Sequence, residues 1–322
     1  MLEVRDLSLS FHNRHNGEQI AIDRVSFKIA AGSTLGLIGA SGSGKSSIAR
    51  CIMQLLKPEK GKILFDGQEL SAMSAKQLMT TRQRLQIVFQ EPSASLSPRR
   101  TIAQILLEPL HHFAIGDPRQ RLQKVSETLQ TVGLDADVLQ RYPHQFSNGQ
   151  QQRIAIARAL VSGPDLLIAD EAVSSLDVSV QAQILQLIQS LQQTHGIAFL
   201  FISHDLGVIR QIADDVAVMY QGQLLEQAPA DTFFSQAAHP YSKALLAFSR
   251  PDGAAPEPGK HWSLEHNRDA GDHPPGCLYA GNCAEKMPVC VVSEPKNHNY
   301  RNKGATHCVK CHLYNEADSN DD

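Results

Sequence analysis

A glycine-rich segment near the N-terminus has the composition and spacing of a loop that binds nucleotide phosphates. Residues 39–46 read GASGSGKS and lie between a short apolar run and a stretch with a helical pattern. Glycines let backbone N–H groups point at the phosphates, the lysine reaches the β and γ phosphates, and the last serine can bind Mg²⁺. A flexible Gly/Ser loop is the simpler interpretation, but it requires neither the lysine nor this placement. The candidate binding residues are Gly39, Ser41, Gly42, Gly44, Lys45, Ser46 and Ser47.

Two adjacent carboxylates form a second candidate group. Residues 166–171 read LLIADE, an apolar strand that ends in Asp170 and Glu171. At the carboxyl end of a parallel strand, Asp170 can bind Mg²⁺ and Glu171 can polarise an attacking water. Alone, the pair would be better explained as an acidic surface turn. Together with the phosphate loop, it predicts hydrolysis of a nucleoside triphosphate.

The cysteines are distributed unevenly, with Cys51 alone in the first 276 residues. The other five are Cys277, Cys283, Cys290, Cys308 and Cys311. In a chain predicted to be cytosolic, clustered thiols favour a metal or iron-sulfur site over disulfides. Cys308 and Cys311 also have zinc-like spacing, with His307 and His312 nearby. Iron-sulfur, zinc and free thiols are therefore three open interpretations of this tail.

Hydrophobic periodicity predicts the elements that position these groups. Residues 1–30 alternate with period two, which predicts antiparallel strands, and residues 99–160 are mostly helical in pattern. A helix is also predicted over 46–56. Short, nearly all-apolar strands are predicted at 34–38, 166–169 and 198–203. The fold class is therefore α/β, with an antiparallel β subdomain, a helical insertion and a small C-terminal cysteine module.

Composition excludes several classes of protein. The chain has 322 residues, 42% hydrophobic and 20% charged, with a formal net charge of -3. These values exclude disorder over the whole chain, and no apolar run reaches the length of a membrane span. The near-neutral charge argues against nucleic acid as a partner. No signal-peptide core is evident, so we expect a cytosolic protein.

Changes in composition along the chain predict its organisation. We expect the β subdomain and the first part of the core over 1–98, the helical subdomain over 99–160, and the second part of the core with an extension over 161–250. A linker rich in proline and glycine is predicted over 251–275, and an acidic disordered tail over 315–322. The cysteine module occupies 276–314.

The order of the motifs resembles the ABC transporter ATPases over residues 1 to about 225. Residues 146–153, FSNGQQQR, resemble the ABC signature, and Gln90 resembles the glutamine of the Q-loop. Asp177 in SLD resembles the D-loop, and His204 in ISHD resembles the switch histidine. The resemblance implies a P-loop NTPase core of the RecA-like type.

The same resemblance implies a role for each residue. Glu171, His204 and Gln90 would be catalytic, and Ser46, Gln90 and Asp170 would hold Mg²⁺. ATP would contact Phe11, the residues of the phosphate loop, Ser147, Gly149, Gln150 and Asp177, with the signature of one subunit facing the ATP of another. In this sequence Asn148 stands where the family usually has the first signature glycine, and Asn tolerates a left-handed backbone better than most residues.

Three features resemble the ATPases of oligopeptide, dipeptide and nickel importers: SLSPRR at 95–100, HPYSKALL at 239–246, and the cysteine tail. This implies a subunit at the cytoplasmic face of the inner membrane, peripherally bound. It would pair with a second ATPase, two permease subunits and, indirectly, an extracytoplasmic binding protein. The resemblance also implies Cys277, Cys283, Cys290 and Cys311 as ligands of a [4Fe-4S] cluster, with Zn²⁺ as the alternative.

Three functions follow in order of preference. The first is an ATPase driving uptake of oligopeptides or dipeptides, and the second is a nickel or metal-chelate importer of the same family. The third is a soluble ABC ATPase without a transport role, which is disfavoured because the chain has one cassette and no heptad run.

Overall fold

The computed structural model describes residues 1–13, 17–249, 275–302 and 305–314. Within these residues, no helix combines the length and apolar character needed to cross a membrane. The predicted acidic tail and residues 251–274 of the predicted linker lie outside the described residues.

Twelve strands are formed by the described residues. They are β1 (Leu2–Asn13), β2 (Gly17–Ile29), β3 (Thr34–Gly39), β4 (Lys60–Phe65), β5 (Gln68–Glu69), β6 (Leu85–Val88), β7 (Leu166–Asp170), β8 (Ala198–Ile202), β9 (Asp215–Tyr220), β10 (Gln223–Pro229), β11 (Asn297–Asn302) and β12 (Ala305–Lys310).

Eleven α-helices accompany these strands in the same part of the chain. They are α1 (Lys45–Ile52), α2 (Ala75–Arg84), α3 (Pro92–Ser95), α4 (Ile102–His112), α5 (Pro118–Thr131), α6 (Asn148–Leu160), α7 (Val178–His195), α8 (Leu206–Ile212), α9 (Ala230–Gln236), α10 (Pro240–Phe248) and α11 (Val289–Val292).

The strands form two sheets. The smaller sheet has the order β2-β1-β4-β5 and is antiparallel, which confirms the strands predicted over residues 1–30. The larger sheet has the order β11-β12-β10-β9-β3-β8-β7-β6. Its pairings from β9 through β6 are parallel, so the carboxyl ends of β3, β6, β7 and β8 meet at one edge. The predicted buried strands are confirmed as β3, β7 and β8.

The parallel sheet is covered on both faces. Along β7, Leu166 and Ile168 face one hydrophobic cluster while Leu167 and Ala169 face another. Successive side chains of a strand point to opposite faces, so nearly continuous apolar runs are needed when both faces are buried. The cluster that includes Ile168 also contains the apolar residues of β1 and α1, and the other contains those of α4 to α7.

The segment from residue 99 to 160 contains α4, α5 and α6. Each helix begins at a capping box, in which the side chain of the N-cap residue accepts from the third backbone N–H and a glutamine returns the bond. The N-cap residues are Thr101, Asp117 and Ser147. The helical pattern of this segment is therefore confirmed, with its starts set by local side-chain chemistry.

The end of the described chain extends the main sheet. Strand β12 pairs with β10, with Glu226 opposite Val309 and Gln227 opposite Cys308, and β11 pairs with β12. All these pairings are antiparallel. The cysteine module thus contributes two strands to the sheet that carries the phosphate loop.

Candidate functional site

The phosphate loop joins β3 to α1, as the sequence predicts. Gly44 is the N-cap of α1 and has φ 104°, and a Cβ built there would lie 2.2 Å from the Ala21 carbonyl oxygen. Only glycine combines this backbone conformation with this close approach. The helix begins at Lys45 and ends at Ile52, four residues before the predicted end, because Met53 and Gln54 form a turn.

Lys45 lies inside the loop. Its ammonium donates to the carbonyl oxygens of Gly39 at 2.7 Å and Ala40 at 2.8 Å. Burial lowers the pKa of Lys45, while the nearby charges of Glu171 and Asp170 act in the opposite direction. The lysine is therefore held at the point where the loop leaves the strand, within electrostatic reach of both carboxylates.

Oxygen ligands suited to Mg²⁺ meet beside the loop. The Ser46 hydroxyl donates to the Asp170 carboxylate at 3.0 Å. Burial raises the pKa of Asp170 and Glu171 raises it further, against the hydrogen bond from Ser46 and the charges of Arg50 and Lys45. A hydroxyl and a buried carboxylate are hard oxygen donors of the kind that Mg²⁺ prefers, so these residues fit the predicted ion.

Glu171 lies at the centre of the predicted catalytic group. Its carboxylate accepts from the Gln90 amide at 2.9 Å and is 3.4 Å from the His204 Nδ1. The structure thus brings together three residues that are up to 114 positions apart in sequence. Glu171 also has φ 49°, a left-handed conformation that is rare for a residue other than glycine. Such strain is found at functional sites, and the sequence gives no signal of it.

The signature residues form a separate group at the starts of α6 and α7. Ser147 caps α6 through a capping box with Gln150, and the Asp177 carboxylate accepts from the Val180 N–H at 3.0 Å to cap α7. A Cβ built on Gly149 would lie 2.4 Å from the Val180 side chain, so the two helices require glycine at this contact. No hydrogen bond of the described residues joins Ser147, Gly149 or Gln150 to the phosphate loop.

The start of the signature helix is set by its cap. Helix α6 begins at Asn148, because the Ser147 cap lies directly before it. Asn148 has no positive φ, so its tolerance of the left-handed conformation is not used. Its side chain is exposed and in the first helical turn. Replacement of the usual glycine therefore places an amide at the surface of the signature without straining the backbone.

The remaining residues that were predicted to bind nucleotide are placed as follows. Phe11 lies on β1 opposite Gln19 and is 40% exposed, so its ring is not part of the core. Ser41 and Gly42 are exposed at the tip of the phosphate loop. Ser47 is half-buried in the first turn of α1.

Four of the five C-terminal cysteines are neighbours. The Cys277 N–H donates to the Cys290 carbonyl at 2.8 Å. Burial raises the pKa of Cys283 to about 11 and that of Cys311 to about 12, and in Cys311 the other three thiols contribute to the rise. These four residues are the ones that the resemblance implies as ligands. Within the described residues, no three His, Cys, Asp or Glu side chains are placed to share one metal ion.

Cys308 belongs to a different environment. Burial raises the pKa of its thiol, and the negative charge of Glu226 raises this pKa further. His307, its neighbour, contacts the same glutamate through Nε2 at 2.7 Å, and His312 contacts the Ser293 carbonyl oxygen. Cys308 and His307 therefore lie beside Glu226, whereas Cys311 lies with the other three cysteines and His312 contacts Ser293. The zinc-like spacing in the sequence does not correspond to a single group of these four side chains.

Two connections to the core carry no signal in the sequence. Glu226 is 1% exposed and accepts from the N–H groups of Ala238 and His239 as well as contacting His307. Burial raises the pKa of Glu226, but these hydrogen bonds outweigh it and lower the pKa below its ordinary value. The Tyr241 hydroxyl accepts from the Ala40 N–H of the phosphate loop at 3.2 Å. Both connections join residues distant in sequence.

Comparison with known protein families gives two matches. Residues 22–174 match the ABC transporter family, and residues 225–290 match the family described as the oligopeptide/dipeptide transporter C-terminal region. The second match includes Cys277, Cys283 and Cys290.

Similar solved structures include an ATP-binding cassette, MJ0796, in a dimeric post-hydrolysis state bound to ADP and Pi. It is 27% identical, with a TM-score of 0.65, and the match covers 71% of this chain and 99% of that one. CbiO1 from Clostridium perfringens, part of the cbiONQ ABC transporter complex, is 28% identical with a TM-score of 0.65, covering 73% and 90%.

Curated relatives match over nearly the whole chain. A putative oligopeptide transport ATP-binding protein of Bacillus subtilis, YkfD, is 40% identical over 99% of this chain and 97% of its own length. The oligopeptide transport ATP-binding protein AppF of the same organism is 40% identical over 98% and 97%. A putative peptide import ATP-binding protein of Brucella ovis is 41% identical over 96% and 98%. The chain therefore belongs to the ATP-binding subunits of ABC transporters, and it is an ATPase of the group that carries the oligopeptide/dipeptide transporter C-terminal region.

Proposed function

We propose that this chain hydrolyses ATP to drive import of oligopeptides or dipeptides. The observation that carries the proposal is the match of residues 225–290 to the oligopeptide/dipeptide C-terminal region, on a chain whose full-length relatives are named for peptide import. A nickel or metal-chelate substrate is the second candidate, because the same resemblance includes nickel importers. The substrate would be selected by other subunits.

The chemistry follows from the group around Glu171. Its carboxylate is the base that accepts a proton from the attacking water, and Gln90 and His204 hold it from two sides. Lys45 and the backbone N–H groups of the loop bind the phosphates. Ser46, Asp170 and Gln90 would hold Mg²⁺, which neutralises charge on the phosphates when bound.

A second ATPase subunit completes the site. Ser147, Asn148 and Gln150 are exposed, and Ser147 lies at the N-terminus of α6, where backbone N–H groups favour a phosphate. We infer that this surface faces ATP on the loop of a partner subunit, with Gly149 and Asp177 shaping it, and that Phe11 stacks on the adenine. The dimeric form of MJ0796 supports this arrangement.

The assembly would lie on a membrane. Two permease subunits and an extracytoplasmic binding protein would supply the path and the substrate, with this chain bound peripherally at the cytoplasmic face. The partner ATPase is either a copy of this chain or a related chain.

The four neighbouring cysteines support a [4Fe-4S] cluster as the ligand of the cysteine module. Cys277, Cys283 and Cys290 each act electrostatically on the Cys311 thiol, so the four thiols lie near one another. Four Cys thiolates are the usual ligands of such a cluster. Zinc and free thiols are the other outcomes of the test.

Uptake measured with matched variants tests the transport proposal. The tagged chain is purified with its permease subunits, reconstituted in vesicles with the binding protein, and supplied with labelled dipeptide, oligopeptide or nickel. We expect peptide uptake that is lost in Glu171→Gln and retained in Glu127→Gln, which changes the same functional group on the exposed side of α5. Nickel uptake without peptide uptake would contradict the proposal in favour of the second candidate.

Metal analysis tests the cluster. After anaerobic purification we expect about four iron and four sulfide per chain. Cys277→Ser should lose them, while Cys308→Ser, whose thiol lies outside the group, should keep them. One zinc without sulfide, or no metal at all, would contradict the cluster without affecting the ATPase assignment.

A further inference from the structure

Tyr241 contacts the phosphate loop from outside the nucleotide-binding motifs. It is fully buried at the start of α10, and its hydroxyl accepts from the Ala40 N–H at 3.2 Å. The carbonyl oxygen of the same peptide group, that of Gly39, accepts from Lys45 at 2.7 Å. One peptide plane is therefore held on its N–H side by Tyr241 and on its carbonyl side by the phosphate-binding lysine.

Tyr241 belongs to an aromatic cluster that includes the cysteine module. Its ring centroid is 4.7 Å from that of Tyr220 at the end of β9 and 5.3 Å from that of Tyr279, which lies between Cys277 and Cys283. Tyr220 and Tyr279 are 5.5 Å apart in an edge-to-face arrangement. Packed aromatic rings of this kind restrict one another, so displacement of Tyr279 alters the position of Tyr241.

The backbone around Tyr241 is fixed independently. His239 caps α10 and accepts from the Tyr241 N–H at 2.9 Å, and the His239 N–H donates to the buried carboxylate of Glu226 at 2.8 Å. His307 of β12 contacts the same carboxylate. The phosphate loop has a further external contact, since the Gly222 N–H donates to the Ser43 carbonyl at 3.0 Å.

We propose that Tyr241 is a positioning residue for the phosphate loop, and that the cysteine module influences nucleotide affinity through Tyr279. The hydroxyl sets the orientation of the 39–40 peptide, and that peptide sets the position from which Lys45 reaches the phosphates. The proposal concerns the ATP site itself and does not depend on which substrate is transported or on which ligand the cysteines bind.

Nucleotide affinity of the full-length chain tests whether Tyr241 positions the phosphate loop. Tyr241→Phe keeps the ring and removes the acceptor, which leaves the half-buried Ala40 N–H without this partner. We expect a three- to tenfold rise in the Kd for ATP, with kcat at saturating ATP changed less than twofold. Tyr314→Phe is the matched control, because it removes a hydroxyl that donates to the Ala238 carbonyl at 2.9 Å, away from the loop. An unchanged Kd in Tyr241→Phe would overturn the proposal.

Two further measurements separate positioning from general destabilisation. The rise in melting temperature caused by ATP, relative to each variant without nucleotide, should shrink in Tyr241→Phe and not in Tyr314→Phe. In an Ala40→Pro background, which lacks the N–H, Tyr241→Phe should have no additional effect on Kd. Equal effects in both backgrounds would contradict an action through this hydrogen bond.

The influence of the cysteine module on nucleotide affinity is tested at Tyr279. Tyr279→Leu keeps an apolar side chain in the cluster and removes the aromatic edge. We expect the Kd for ATP to rise in the same direction as in Tyr241→Phe, and the two changes to be less than additive when combined. A Kd equal to that of the unmodified chain, or full additivity, would overturn the influence of the cysteine module.

Discussion

We predict that the free energy of unfolding falls in acid because of His239. This residue is the N-cap of α10, and its side chain is buried, with 1% exposed. Burial lowers the pKa of His239 from 6.5 to about 4, and Lys243 adds to this, against the opposing effects of Glu226 and the Lys310 backbone. The folded protein therefore keeps this imidazole neutral at pH values where the unfolded chain protonates it.

The sign and size of the effect follow from this difference. Between about pH 6.5 and about pH 4 the unfolded state binds more protons at His239, so the free energy of unfolding falls as the pH falls through this range. Between pH 7 and pH 5 the loss amounts to about 2 kcal/mol from this group. Above about pH 6.5 the imidazole is mostly neutral in both the folded and the unfolded state, so this group no longer lowers the free energy of unfolding.

Equilibrium urea unfolding at pH 5, 6 and 7 measures the loss, with His239→Asn as the comparison. Asparagine keeps a side-chain acceptor at the N-cap but does not titrate. Its unfolding free energy should fall by about 2 kcal/mol less than that of the unmodified chain over this range. Identical pH dependence in the two proteins would refute the assignment of a neutral buried imidazole.

Three further predictions concern the core and the site. Glu226→Ala leaves the buried N–H groups of Ala238 and His239 without their carboxylate acceptor and should lower the free energy of unfolding by about 2 to 5 kcal/mol in urea titrations, and a loss below about 1 kcal/mol would contradict the described contacts. Asp170→Asn should raise the Mg²⁺ concentration for half-maximal ATP hydrolysis at least tenfold, whereas an unchanged Mg²⁺ titration would exclude Asp170 as a ligand. Asn148 has an ordinary helical backbone, and glycine destabilises a helix because it loses more conformational freedom on folding. Asn148→Gly should therefore lower the melting temperature, and a rise would show that the asparagine is unfavourable there.

The sequence was sufficient to predict the elements whose signals are local. The strand before the phosphate loop, the acidic strand end at Asp170 and the helical segment from 99 to 160 each have a short-range pattern of apolar residues or caps. The meeting of Gln90, Glu171 and His204 could also be predicted, because the carboxyl ends of parallel strands lie at one edge of the sheet.

Long-range contacts could not be predicted in the same way. Nothing in the run QLLEQAP marks Glu226 as buried, because its partner His307 is 81 residues away and glutamate is a residue type that is usually exposed. Strands β11 and β12 have polar sequences, and their place beside β10 depends on pairing across the chain. The HPY segment resembled a family feature, but the contact from Tyr241 to Ala40 became evident only in three dimensions.

The most direct test of the central claim is single-turnover hydrolysis of ATP by the chain purified together with its partner ATPase, measured with the unmodified protein and with Glu171→Gln. We predict that the variant binds Mg-ATP with unchanged affinity and hydrolyses it at least about a hundredfold more slowly, because the base is lost while the phosphate loop is intact. The control Glu127→Gln should hydrolyse at the normal rate. Normal hydrolysis by Glu171→Gln would contradict the site described for this ATPase.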